Sequence, residues 1–333
     1  MGNMGILRNL NINPGDYSGL LQRAKGKRVV VLLSSGGLRI VCHLPLLRLL
    51  EILGLPVDEL WGVSAGSIAG GLWASGRGAA DIEDEILSVR RSQIYEFFLL
   101  TGLRAIFPSK NAEKAGLITG KKLERYVSRL IGQGDNPLLD IHNLKVLAFN
   151  RSLNRKAVLR IGDQPETIVI EIDGAEQLIV ENGSLSDILR ASFSTPVMFR
   201  PKRLNGMYYV DGGLVENYPV LSAFNHYISD VEAGRENRGL LMLGVNIGYS
   251  GEFVKTPTNL LNSIAESYDI VGHEQVRLQL MLLRELTRSR DIDCDLITIQ
   301  PGIFHMPLAD FKQVPSAIQT ALECTVSELS SIE

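Results

Sequence analysis

The chain has 333 residues, 45% hydrophobic and 21% charged, which is ample for a large core. Its formal charge of −3 argues against a nucleic-acid partner, which favours a basic face. No N-terminal stretch has the apolar core of a signal peptide and no run of about 18 apolar residues is present to span a bilayer.

Residues 1–27 are polar and turn-rich apart from a helical candidate at 17–24, and read as an N-terminal extension to a domain at 28–333. Val29-Val30-Val31-Leu32-Leu33 is the kind of unbroken apolar run that a buried parallel strand shows. It leads into Ser34-Ser35-Gly36-Gly37-Leu38-Arg39 and an apolar helical stretch at 40–53. A strand, a glycine turn and a helix start leave backbone N–H groups aimed at one spot, which suits an anion or a developing oxyanion. Gly36, Gly37, Leu38 and Arg39 are therefore candidates for an oxyanion cradle. A nucleotide phosphate is the alternative occupant, although no G-x-G-x-x-G is present.

Glu59-Leu60-Trp61 reads as a short strand, followed by Gly62-Val63-Ser64-Ala65-Gly66 and a small-residue helix at 67–74. This pattern fits a serine on a sharp strand-to-helix turn, with Gly62 and Gly66 clearing space around the hydroxyl. An ordinary helix-packing turn is the competing reading. Residues 80–131 look helical and contain a dense apolar patch at 94–107. That patch is either packed on the sheet or a lid or surface that dips into a lipid interface.

Strand candidates return at 145–150, 156–161, 167–172, 207–210, 241–246 and 296–300, with helical candidates at 185–190, 219–227, 257–288 and 315–329. The alternation predicts a mainly parallel α/β sheet covered on both faces, with reactive loops at the strands' carboxyl ends. The strand at 207–210 ends in Asp211-Gly212-Gly213, a carboxylate on a glycine turn and a candidate base. A hairpin is the alternative there. Gly36-Gly37, Ser64 and Asp211 each follow a strand candidate, so one edge of the sheet is expected to carry all three. Cys42, Cys294 and Cys324 form no C-x-x-C pair and are expected to be buried thiols in a reduced compartment.

Taken together, these motifs resemble the patatin-like phospholipases, particularly their bacterial cytosolic branch. The matching segments are Ser35-Gly36-Gly37-Leu38-Arg39, Gly62 to Gly66 and Asp211-Gly212-Gly213. Gly116-Leu117-Ile118-Thr119-Gly120 and Ala191-Ser192-Phe193-Ser194-Thr195-Pro196-Val197-Met198-Phe199 match as well, so that the likeness runs over roughly 28–300. Ser35 and Ile40 depart from the pattern, each standing where the family usually has glycine. The resemblance implies a three-layer α/β/α fold and a Ser64–Asp211 dyad supported by Gly62, Gly66, Gly212 and Gly213. It also implies hydrolysis of lipid acyl esters, of phospholipid or lysophospholipid type, without cofactor or metal. A cytoplasmic protein is expected from the cysteine usage and the missing signal-peptide pattern, and the apolar patch at 94–107 points to transient contact with a membrane surface.

An aspartate is intrinsically a weak base, with an ordinary pKa of about 3.9, so a dry site and strong oxyanion donors are expected to compensate. His226, His273 and His305 follow Asp211 in the Ser…Asp…His order, which leaves a triad open. An acyltransferase, a thioesterase and a lipid-binding regulatory pseudoenzyme are the other open readings. Arg39 is read as a headgroup ligand, a brace for the turn or a structural ion pair. Arg200-Lys202-Arg203 is read as a headgroup contact or a solvated loop.

Overall fold

The computed structural model describes residues 5–94, 116–132, 136–164, 166–174, 176–248, 260–303, 306 and 311–333. Of the apolar patch at 94–107, only Ile94 falls within these residues, and His305 lies outside them.

Strand β1 (Lys27–Leu33) shows why the sheet sits at the centre of the molecule. Val29, Val31 and Leu33 pack into one apolar cluster and Val30 and Leu32 into another, so successive side chains serve opposite faces. Strand β2 (Glu59–Val63) is likewise buried at every position. Chain order continues with β3 (Leu144–Asn150), β4 (Arg155–Ile161), β5 (Ile168–Ile172), β6 (Glu176–Val180), β7 (Lys202–Leu204), β8 (Met207–Asp211), β9 (Gly239–Val245) and β10 (Cys294–Ile299). The sheet order is β10-β9-β1-β2-β3-β4-β5-β6, with β8 paired to β3 and β7.

The helices are α1 (Ser18–Ala24), α2 (Leu44–Leu53), α3 (Ala65–Ala74), α4 (Ala79–Ser88), α5 (Arg91–Ile94), α6 (Lys121–Leu130), α7 (Leu185–Ser192), α8 (Val220–Glu232), α9 (Leu260–Arg290) and α10 (Val314–Ser330). Residues of α2, α3, α7 and α10 enter the larger cluster on one face, and residues of α8 and α9 enter the smaller one on the other. The result is the expected three-layer α/β/α arrangement. Leu7, Tyr17 and Leu20 are buried in the larger cluster. The Glu83 carboxylate accepts from the N–H groups of Ile6 and Leu7 at 2.9 Å each, which fastens the N-terminal residues to α4.

The sheet is more mixed than the alternation predicts. Strands β10, β9, β1, β2 and β3 are parallel, whereas β4, β5, β6, β7 and β8 join by antiparallel pairing. The connections from β3 through β6 are short turns, and a parallel crossover needs a dozen residues or more, so hairpins are the available solution. Two short strands, β6 and β7, escaped the sequence reading. Of the cysteines only Cys42 is buried; Cys294 and Cys324 are half-buried.

Candidate active site

Strands β2 and β8 meet end to end on the same side of β3. Val63, the last residue of β2, pairs with Leu147, and Asp211, the last residue of β8, pairs with the next position, Ala148. Because β8 runs antiparallel, it approaches β2 from beyond the end of the sheet. The carboxyl ends of a parallel and an antiparallel strand thus converge. Ser64 and Asp211 lie at one edge, as expected, with Asp211 carried there by an antiparallel strand.

Ser64 sits in that junction, between β2 and α3, with φ 50° and ψ −112°. Such a backbone costs a non-glycine residue on the order of 1–3 kcal/mol. Several bonds hold it. Its N–H donates to Ser192 Oγ at 2.8 Å, and Ser192 Oγ donates to Leu147 O at 2.6 Å. Ser67 Oγ donates to Ser64 O at 2.6 Å. Gly66 is required by close approach, since a Cβ there would lie 2.2 Å from Leu33 O. Gly62, the penultimate residue of β2, faces the start of α3 in the same crowded space.

The Ser64 hydroxyl donates to Asp211 Oδ2 at 2.8 Å. The same oxygen accepts from Thr195 Oγ1 at 2.6 Å, and Oδ1 accepts from Gly213 N at 2.9 Å. Gly212 and Gly213 open the 3-10 turn that follows β8. Asp211 is 5% exposed. Burial pushes its carboxyl above the usual range, and the bonds from Thr195, Gly213 and Ser64 offset only part of that push. None of these three neighbours carries a charge.

The glycine turn after β1 enters a 3-10 helix (Gly37–His43) that runs directly into α2. Gly37 has φ 59°, a left-handed conformation that glycine adopts without penalty. The first bond of this helix runs from Arg39 N to Gly36 O at 3.1 Å, so the Gly37 and Leu38 amides stand ahead of it, at the helix start. Gly36, Gly37, Leu38 and Arg39 line the same cavity as Ser64 and Asp211.

The two departures from the family pattern have distinct outcomes. Ser35 Oγ accepts from Asn217 Nδ2 at 3.0 Å, and Ser35 N donates to Asn217 O at 3.0 Å. Serine at this position therefore ties the turn to the segment after Asp211. Ile40 lies inside the 3-10 helix and is not among the positive-φ residues, so its side chain meets no backbone restriction there.

Arg39 resolves as a buried brace. It is 2% exposed, its Nε donates to Met306 O at 2.9 Å, and its Nη2 lies 3.6 Å from Asp269 Oδ2 on α9. Lys202, from the basic cluster, pairs at 2.6 Å with both Glu124 and Asp187.

The cavity has a volume of about 250 Å³. Ser64, Asp211, Thr195 and Asn217 occupy its polar part, and Ile68, Leu72, Leu123, Tyr126, Val127 and Leu130 of α3 and α6 form an apolar part. Ile94 also lines it. Among the described residues no histidine lines it. His226 instead lies 3.0 Å from Glu59 Oε1, at the amino end of β2. His43 is fully buried beneath the glycine turn, with Nε2 2.9 Å from Ser34 O. Since a carbonyl only accepts, that nitrogen carries the proton, and burial pulls the imidazole down to about 4.

Sequence reasoning missed four contributors: Ser192, Thr195, Asn217 and His43. Ser192 and Thr195 lay inside a segment noted only for its likeness, with no spacing to mark which hydroxyl bonds the site. Among the described residues no group of His, Cys, Asp and Glu is arranged to hold a metal ion.

Curated relatives include the neuropathy target esterase sws of Drosophila melanogaster, 25% identical over 208 residues, and that of Drosophila persimilis, 24% identical over 208 residues. Each alignment covers 61% of this chain, which spans only 12% of the length of these relatives. Among solved structures, VipD from Legionella pneumophila aligns at 14% identity and a TM-score of 0.42, covering 92% of this chain and 67% of that one. Human GIVD cytosolic phospholipase A2, in complex with methyl gamma-linolenyl fluorophosphonate, aligns at 11% identity and a TM-score of 0.43, covering 95% and 62%. The model of the patatin-like phospholipase family matches residues 31–224, more than half of the chain and the span from the middle of β1 to beyond Asp211, and the protein belongs to that family.

Proposed function

We propose that this protein is a lipid acyl hydrolase that cleaves carboxylic esters through a Ser64–Asp211 dyad. The observation that carries the reading is the 2.8 Å bond from Ser64 Oγ to Asp211 Oδ2 beside an apolar cavity. In this reading Asp211 takes the hydroxyl proton as Ser64 Oγ attacks the ester carbonyl. The negative charge that develops on the carbonyl oxygen is met by the Gly37 and Leu38 amides. Asp211 then returns the proton to the departing alcohol, leaving an acyl group on Ser64 that water removes by the same steps. The elevated carboxyl of Asp211 supports the role, because a base is more effective as its pKa approaches the working pH.

The apolar part of the cavity suits one acyl chain, and a phospholipid or lysophospholipid is the proposed substrate. It is taken from a membrane surface, and among the described residues no helix is long and apolar enough to cross a membrane. Residues 28–333 are the proposed catalytic unit. A fluorophosphonate probe tests the nucleophile: wild type should be labelled and Ser64→Ala should not. Equal labelling of both would remove Ser64 from the mechanism. Fatty-acid release from phospholipid and lysophospholipid vesicles then tests the reaction, and labelling without release in water would instead favour transfer to another acceptor.

A further inference from the structure

Among the described residues ten large hydrophobic side chains are exposed, and five of them lie on α9. Ile270, Val271, Leu278, Met281 and Leu282 are 48–55% exposed and fall on one side of a 3.6-residue helix. The opposite side of α9 faces inward, where Tyr268, Asp269, Gly272 and Val276 line the cavity. The helix therefore has a second apolar stripe, about 18 Å long, whose side chains are about half exposed and which no other element among the described residues covers. Stripes of this kind mark contact with another protein or a membrane.

Charge chooses between these. Glu274 and Glu285 lie within the angular width of the stripe and pair with Arg277 at 2.8 Å and Arg288 at 4.0 Å on the same helix, so the face carries mixed charge and not the basic excess that an anionic lipid surface selects. Charge is also distributed unevenly along the helix. Glu266 and Glu274 precede the midpoint of the stripe, whereas Arg277, Arg284 and Arg288, with Glu285 among them, follow it. Glu266 shares one flank with Arg277, Arg284 and Arg288. When a helix packs antiparallel on its own copy about a two-fold axis, like flanks meet and the two halves exchange places. Reflection through the midpoint sets Ile270 and Val271 on Met281 and Leu282 of the other copy. It also brings Glu266 between the levels of Arg284 and Arg288 of that copy, and Glu274 to the level of Arg277.

We propose that the outer face of α9 is a homodimer interface, formed by antiparallel packing of α9 on its own copy. One pair of helices buries less than the ~1,600 Å² of a standard stable complex, so the affinity is expected to be micromolar. Sedimentation of the full chain from about 1 to about 100 µM is the test. The expected result is a shift with concentration from the 36.6 kDa chain to twice that mass. Leu278→Glu with Met281→Glu should remain monomeric throughout, with wild-type circular dichroism and wild-type fluorophosphonate labelling. Glu266→Arg should weaken association at least tenfold, and adding Arg284→Glu to it should restore the dimer. A wild-type chain that stays monomeric throughout overturns the proposal, as does a charge exchange that fails to restore association. Monomers that float with phosphatidylcholine–phosphatidylglycerol vesicles would assign the stripe to a membrane and overturn it too.

Discussion

Two buried carboxylates lie at opposite ends of β2 and behave in opposite ways. Asp211, beside the last residue of β2, is surrounded by the neutral donors Ser64, Thr195 and Gly213, and burial leaves its carboxyl raised. Glu59, the first residue of β2, is equally buried, at 5% exposed. Burial pushes it upward as well, but the His226 bond and the charges of His226, Arg28 and Lys145 overcome that push and hold it below the usual range. Arg28 Nη2 donates to Glu59 at 2.7 Å and Trp61 Nε1 donates at 2.8 Å. Depth is the same in both places. The partners decide whether a buried carboxylate is held as an anion or is left with a raised carboxyl beside a hydroxyl.

The sharpest way to break this contrast is to neutralise each carboxylate in turn. Asp211→Asn is expected to cut ester turnover by about 10⁴-fold while leaving thermal stability unchanged or higher at neutral pH, since it removes an unfavourably buried charge. Glu59→Gln should keep turnover within about threefold but cost about 3 kcal/mol in denaturant titration, because it leaves Arg28 buried with less compensation. If the two variants lose activity equally, the division between them fails.

His43 sharpens the same point, because it is the titratable ring beneath the glycine turn and burial keeps it neutral down to about 4. Its folded pKa lies below the unfolded value of about 6.5, so the unfolded chain binds the additional proton between those values. Stability should therefore be complete above about pH 6.5 and fall, by about 3 kcal/mol from this group alone, as the pH drops through about 4. Thermal melts of wild type and His43→Gln across that window should differ in slope, with the flatter profile in the variant.

A smaller effect is expected at Thr195. Thr195→Val removes a donor to Asp211 Oδ2, so the carboxyl should rise further. The acid limb of the kcat/KM profile should move up by about one pH unit with the neutral-pH plateau retained. An unmoved limb would show that a different group sets it. The smallest expected effect is that of Ser35→Gly, which restores the family's usual residue and loses the bond from Asn217. A loss of about 1 kcal/mol in stability and a few-fold in turnover is expected.

Much of the site was legible because it is local. Val29 to Leu33 followed by two glycines, and Gly62 to Gly66 followed by small residues, each encode a strand, a tight turn and a helix within a dozen positions. Asp211-Gly212-Gly213 was likewise visible as a carboxylate on a turn. Local pattern did not reveal that β8 runs antiparallel, that Ser192 fixes the Ser64 amide, or that Thr195 rather than a histidine shares Asp211. These depend on contacts 16 to 128 positions apart.

By itself, then, the sequence determined which backbone segments must bend sharply and which must be buried, because glycine geometry and side-chain periodicity act over a few residues. Only the tertiary structure decided which buried carboxylate has neutral donors among the described residues and which hydroxyl lies within reach of it. Sheet order and strand direction set those neighbours, and a charge in a dry interior responds to its neighbours more strongly than to its own chemistry.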